Sequence, residues 1–325
     1  MATATATAPA QITRGQLWFR AFRAPFLIAS VIPVFLGGVL AVVVGDPYGE
    51  RVVGLARQLS LELFLLTLVG AISVHLATNM LNDNFDFRSG NDLAVKHQNP
   101  FAGGGRVLTT GALNVNAHLG VALGFLALGS LIGIYLVAQT SLTLLWIGLV
   151  GVFVAVFYVA PPVRLAHRGL GELFVGLSFG PLVVMGTYFV QTMRWDWGPF
   201  FLSIAFGLLV AAILWINEFP DVEADLSVGK RTLMARLGYE RSVGVYFYLI
   251  AFAYLLVLVA VIAAEVPPTT LLVLLTLPAA RKAYHHLRAN YRDPMALIPA
   301  NAGTVMLTIQ FGILAIVGVA LGLLY

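Results

Sequence analysis

A chain of 325 residues that is 59% hydrophobic and only 10% charged departs far from soluble domains, in which roughly a quarter of the residues are charged; it is expected to be a polytopic membrane protein. Its formal net charge of +4 does not point to a nucleic-acid partner, because the basic residues fall in short links between apolar runs and no solvated basic domain carries them. The absence of cysteine excludes disulfides and thiolate metal sites.

The first residues, MATATATAPAQ, are of low complexity, and residues 1–13 are expected to be disordered, ahead of a single transmembrane domain over 14–325. Arg14, Arg20 and Arg23 precede an apolar run as long as a spanning helix, so this run reads as an uncleaved first span rather than a signal peptide. Apolar runs near 24–45, 60–82, 117–138, 141–159, 172–191, 198–217, 242–264, 267–286 and 302–324 predict an all-α protein with nine transmembrane helices. Placing the N-terminus in the cytoplasm leaves only Arg51, Arg57 and Arg194 of the 19 Lys and Arg residues outside, which supports both the orientation in a plasma membrane and the helix count. The second and sixth helices each run into an acidic cluster, four helices apart. This spacing suggests two four-helix halves plus one helix, around a central cavity open to the cytoplasmic side.

The first cluster lies in HLATNMLNDNFDFRSGND, from His75 to Asp92. His75, Asn79, Asn82 and Asp86 are separated by four, three and four residues, so a helix places them on one stripe. A polar stripe on a membrane helix must face protein or a wet cavity, because exposing an Asp to hydrocarbon costs about 2.5–3.5 kcal/mol. The second cluster is NEFPDVEAD, followed by GKRT at Gly229–Thr232. Asn217, Asp221 and Asp225 are spaced by four and align on a helix, Glu223 sits off that line, and Pro220 bends or restarts the helix. Either cluster alone reads equally well as a solvated helix end; two, at corresponding helices, favour a site. Carboxylates and amide oxygens are hard ligands suited to Mg²⁺, which shares its shell with substrate phosphates. Interleaved Lys and Arg neutralise the oxygens that the metal leaves bare. The combination describes a metal-held diphosphate.

These residues also resemble a known family. Asn82-Asp83-Asn84-Phe85-Asp86, with Gly90 and Asp92, is similar to the first aspartate-rich motif of the UbiA superfamily of intramembrane prenyltransferases, and Asp221-Val222-Glu223-Ala224-Asp225 with the following GKRT resembles the second. The resemblance implies Mg²⁺ and polyprenyl diphosphate held between the two motifs, ionisation to an allylic cation, and attack by an aromatic acceptor. It implies metal–diphosphate roles for Asn82, Asp83, Asp86, Asp92, Asp221, Glu223 and Asp225, with Asp86, Asp221 and Asp225 central to catalysis. Lys96, Arg106, Lys230, Arg231 and Arg23 are implied diphosphate partners. Tyr158-Val-Ala-Pro161-Pro162-Val-Arg164 resembles the family's tyrosine–proline–basic element, in which Tyr158 would face the cation and Arg164 the diphosphate or an acceptor carboxylate. Tyr158 reads equally as an interfacial anchor. His75 could hydrogen-bond the acceptor or move a proton, or serve in packing.

The form NDNFDFRSGND and the segment His167–Phe174, HRGLGELF, are closer to the menaquinone branch, whose acceptor is 1,4-dihydroxy-2-naphthoate, than to the hydroxybenzoate branch. Alternative acceptors are 4-hydroxybenzoate, homogentisate or a porphyrin; a cation-coupled secondary transporter is the alternative of a different class. Three further features are read locally. Gly103-Gly104-Gly105 suits either a phosphate cradle or a hinge, Glu172 opens the fifth helix where a negative charge favours the dipole, and Trp195 and Trp197 suit an aromatic belt.

Overall fold

The computed structural model describes residues 13–45, 59–95, 99–101 and 106–324, and among these no strand occurs. Most of the expected disordered segment lies outside the described residues, but Thr13 is the cap of α1 (Arg14–Ala21): its hydroxyl accepts from the Gln16 amide while the Gln16 side chain accepts from the Thr13 amide. Helical structure covers every predicted apolar run. In order these are α2 (Ile28–Val43), α3 (Leu61–Ser89), α4 (Val115–Gln139), α5 (Leu142–Phe157), α6 (Gly171–Thr192), α7 (Trp197–Asn217), α8 (Tyr239–Ile262), α9 (Leu277–Asn290, after a 3₁₀ stretch over Pro268–Thr276) and α10 (Ile298–Leu321). Side-chain caps start several of them: Ser60 accepts from the Leu63 amide, Asn114 from the Asn116 and Ala117 amides, and Ser141 from the Thr143 amide.

Among the described residues, 7 segments are long and apolar enough to cross a membrane, and the protein is a multi-pass membrane protein. The two runs that fall short do so for physical reasons. With 16 residues, α5 extends only about 24 Å at 1.5 Å per residue, against a hydrocarbon core of about 30 Å. The eighth run changes helix type at Leu277 and its second half carries Arg281, Lys282 and Arg288.

The well-packed core is one-sided. Trp215, Phe206, Leu209, Tyr246, Phe311, Leu36 and Leu40 belong to a single buried cluster drawn from α2, α6–α10 and the segments that join them, to which α3, α4 and α5 contribute nothing. Polar groups within it are satisfied between helices: Trp215 Nε1 donates to the Ser242 carbonyl at 2.9 Å, and the Tyr246 and Thr304 hydroxyls meet at 2.6 Å. The remaining helices form a thinner wall in which α4 packs on α3 and α5, and a cavity is left between this wall and the core.

The close approach of α6 to α7 rests on glycine. Within α6 the chain passes through a π-helical stretch, Ser178–Met185, around Pro181, whose ring offers no N–H to Leu177 and needs the wider turn. A Cβ on Gly180 would lie 2.3 Å from the Ser203 carbonyl, and one on Gly207 would lie 2.3 Å from the Gly176 carbonyl. Because the obstructing atoms are backbone, Gly207→Val is expected to cost about 1–3 kcal/mol or more through overpacking. Thermal unfolding in detergent should read this as a lowered midpoint, and an unchanged midpoint would contradict the packing.

Candidate active site

Helix α3 runs unbroken past the membrane-length segment to Ser89, where Gly90 adopts φ 84 and ends it. The predicted stripe is therefore realised on one helix. His75, Asn79, Asn82 and Asp86 all line a single cavity of about 950 Å³. His75 Nδ1 meets the Ser30 hydroxyl at 2.7 Å, and its ring packs edge-on to Phe179 at 4.7 Å. The Asn82 amide donates to Asp86 Oδ2 at 3.1 Å, while Asp86 Oδ1 is buried with no hydrogen-bond partner among the described residues. Apolar residues of α4 and α5, including Ile132, Leu145 and Val152, continue the cavity wall away from the acids.

The second cluster comes to the same place by a different route. Helix α7 stops at Asn217, a turn containing Pro220 follows, and a short helix restarts over Val222–Ser227. Asn217, Asp221 and Asp225 still line the cavity. Lys230 joins the two clusters: its Nζ lies 3.7 Å from Asp86 Oδ2 and 3.3 Å from Asp225 Oδ1. A second tie is the Asn91 amide, which donates to Asp225 Oδ1 at 3.0 Å. Burial works against the Lys230 ammonium, but Asp86, Asp225, Tyr158 and Asp221 outweigh it and hold its pKa well above the ordinary value. Burial, followed by Asp86 and Asp83, pushes the Asp92 carboxyl up to about 8. Asp225 is also raised, by burial, against the opposing effect of Lys230.

Not every predicted residue joins this group. Asp83 is 1% exposed and faces away from the cavity, paired with Arg23. Arg23, in a left-handed conformation at φ 49, does line the cavity, as does Arg20. Glu223, Arg231 and Arg164 are exposed and off the cavity; the Arg231 amide donates to the His167 carbonyl. Arg106 also lies off the cavity lining. Lys96 and the glycine run 103–105 fall outside the described residues. Asp92 and Tyr158 line the cavity, and burial, followed by Glu218, raises the Tyr158 phenol. Sequence reasoning missed Asn91, Ser30 and Glu218; the only signal for Glu218 was an acid directly after Asn217, at the end of an apolar helix.

The donors suit a shared metal better than a closed cage. Among the described residues no group of three carboxylate or imidazole side chains could hold an ion unaided, yet hard oxygens from both clusters surround one volume and Asp86 keeps a buried oxygen unpartnered. Mg²⁺ characteristically binds through one or two carboxylates and completes its shell with substrate phosphates and water.

The family model described as the UbiA prenyltransferase family matches residues 30–301. The chain belongs to this family. It is 30% identical over 312 residues to the 1,4-dihydroxy-2-naphthoate octaprenyltransferase of Bacillus subtilis, covering 96% of this chain and 94% of that protein. It is 31% identical over 291 residues to the 2-carboxy-1,4-naphthoquinone phytyltransferase of Synechocystis, covering 90% and 88%. Its fold is similar to an apo UbiA homologue from Aeropyrum pernix, with TM-score 0.65 at 17% identity over 90% of this chain and 98% of that one. It is similar as well to a UbiA homologue from Archaeoglobus fulgidus bound to GPP and Mg²⁺, with TM-score 0.61 at 16% identity over 93% and 99%.

The Arg23–Asp83 pair is the clearest place where geometry and motif diverge. The Asp83 side chain is 2% exposed and that of Arg23 25%, so Asp83→Asn would strand a partly buried guanidinium at a cost of about 3 kcal/mol, the lower end for a broken buried pair. Chemical denaturation should register that loss, whereas Glu223→Gln, on an exposed side chain, should leave stability within about 0.5 kcal/mol.

Proposed function

We propose that the protein transfers a polyprenyl group from a polyprenyl diphosphate to an aromatic acceptor, 1,4-dihydroxy-2-naphthoate, as a step toward menaquinone. The observation that carries this reading is the convergence of two acidic clusters, joined through Lys230, at one end of a long apolar cavity. The naphthoate acceptor is supported by the names of the relatives from Bacillus subtilis and Synechocystis. A multi-pass chain with nine crossings, the N-terminus in the cytoplasm of a plasma-membrane protein and the cavity open on that side completes the picture: α5 and the 3₁₀–α9 segment join the 7 longer spans. Residues 14–325 form one domain.

Asn82, Asp86, Asp92, Asp221 and Asp225 are the oxygen donors that would hold Mg²⁺ together with the diphosphate. When bound, the ion supplies positive charge against the leaving oxygens. Lys230 and Arg23 reach the same volume and neutralise what remains of the diphosphate charge. The apolar residues of α4 and α5 receive the prenyl chain and keep water from the allylic cation. Tyr158 presents its ring to that cation, and His75, fixed by Ser30, bounds the acceptor side of the chamber. The C–O bond to diphosphate breaks first, giving the allylic cation; the ring carbon bearing the carboxylate attacks it to form the new C–C bond, and loss of CO₂ from that carbon restores the aromatic ring.

Purified protein incubated with Mg²⁺, geranylgeranyl diphosphate and a panel of aromatic acids should yield a prenylated, decarboxylated product from dihydroxynaphthoate, identified by mass. Asp86→Asn and Asp221→Asn should each lower turnover by about 10²-fold or more with the unfolding midpoint retained, and EDTA should abolish turnover until Mg²⁺ is restored. Full activity in either folded variant, or in EDTA, rules out the assigned roles. Because the protein alone offers an incomplete shell, Mg²⁺ by itself should barely shift the unfolding midpoint, whereas Mg²⁺ with geranyl diphosphate should raise it markedly. Equal shifts from both would contradict a shared metal.

A further inference from the structure

Beside the Lys230 cluster, the polar end of the cavity holds a second acidic pair, separate from the oxygen donors assigned above. Glu218, directly after α7, lines the cavity and is 7% exposed. Glu172, in the first turn of α6, is 5% exposed and lies behind it. One Glu172 oxygen accepts from the Leu233 amide at 2.9 Å, which anchors the side chain. The Oε2 atoms of both residues are buried with no hydrogen-bond partner among the described residues, and each carboxyl is near enough for its charge to act on the other. Buried polar atoms without partners are costly and uncommon, so the one at the cavity wall, on Glu218, calls for a ligand.

The chemistry of the pair selects that ligand. A buried carboxyl whose oxygen is unpartnered at the cavity wall offers acceptor lone pairs. Such a group is a poor host for diphosphate oxygens, which need donors. It suits a neutral O–H. The Tyr158 hydroxyl lies beside Gly171, where a Cβ would come within 3.1 Å of it, and Tyr158 also lines the cavity. Charge links Glu218, Tyr158 and Lys230 to one another, so a hydroxyl held here adjoins the diphosphate cradle, where an acceptor ring must sit to reach the first carbon of the prenyl chain.

We propose that Glu218, backed by Glu172, is the acceptor-recognition residue: it accepts a hydrogen bond from a ring hydroxyl of the aromatic substrate and orients the ring toward the prenyl diphosphate. The inference rests on the aromatic-acceptor reading above. It predicts that the protein distinguishes a hydroxyaromatic acid from its methyl ether, because the ether cannot donate and leaves the carboxyl unsatisfied.

The test is calorimetric titration of the full chain in detergent, with Mg²⁺ and geranyl thiolodiphosphate filling the donor site, using 1-hydroxy-2-naphthoate and 1-methoxy-2-naphthoate as probes. The wild-type protein should bind the hydroxy acid about tenfold or more tightly than the ether, and Glu218→Leu, which removes the acceptor, should reduce that ratio to about threefold or less while leaving thiolodiphosphate affinity unchanged. Glu218→Asp, which keeps the carboxyl but withdraws it by one methylene, provides the same comparison if the leucine variant does not fold. An unchanged ratio in the folded variant, equal loss of affinity for both probes, or no binding of either by the wild type overturns the assignment. Turnover separates the two readings: a wild type that discriminates the probes but prenylates no aromatic acid refutes the transferase and leaves the hydroxyl site standing. One that prenylates dihydroxynaphthoate with an unchanged probe ratio in the variant removes the site alone.

Discussion

Lys230 stands between carboxylates that belong to distant parts of the chain, 3.7 Å from Asp86 and 3.3 Å from Asp225. Without a cation there, the end of α3 and the helix restarted after Pro220 would bring buried acids together with nothing to offset their repulsion. With it, the two segments are drawn into one chamber, and the Asn91–Asp225 bond adds a directional tie. The pairing also leaves room for exchange. An ammonium on a flexible stem can turn from carboxylate to phosphate, so the contact that draws the two clusters together is also one that a charged ligand can engage.

The rest of the molecule is arranged around keeping that chamber both apolar and unfilled. A packed core tends to close its own voids, yet a prenyl chain needs volume. The chain resolves this by placing its interdigitated core on α2, α6–α10 and the segments that join them and leaving α3–α5 as a wall held by smaller clusters. Interhelical hydrogen bonds such as Trp215–Ser242 and Tyr246–Thr304 fix the packed side, where apolar burial alone separates protein from lipid only weakly.

How far the site could be read from the sequence depended on helical regularity. The stripe from His75 to Asp86 was legible because α3 is continuous, so offsets of three and four translate directly into one face. The same rule explains what motif similarity obscured: Asp83 follows Asn82 by one residue, about 100° around the helix, and it meets Arg23 behind the cavity instead of lining it. Glu223 is displaced from the Asp221–Asp225 line in the same way and ends exposed. Glu218 escaped notice because its place at the wall depends on where α7 stops, which Pro220 and the following turn decide and no periodic pattern encodes. The helical segments were legible from apolar runs alone, while the membrane length of α5 was not, since its helix stops at Phe157.

The contact between α6 and α7 connects packing to chemistry. These helices are sequential neighbours joined by the short link 193–196, so they run antiparallel, and the start of α6 lies beside the end of α7. Glu172 sits at the first of these ends and Glu218 directly after the second. How closely the two carboxyls approach is therefore set by how closely the helices cross, and the crossing is set by Gly176, Gly180 and Gly207, whose absent Cβ atoms let one backbone rest on the other. Bulk at the crossing would splay the helices and separate the acids at their ends, with no change to any residue that touches a ligand. Small side chains deep in the membrane thus fix the geometry of charged ones at its edge.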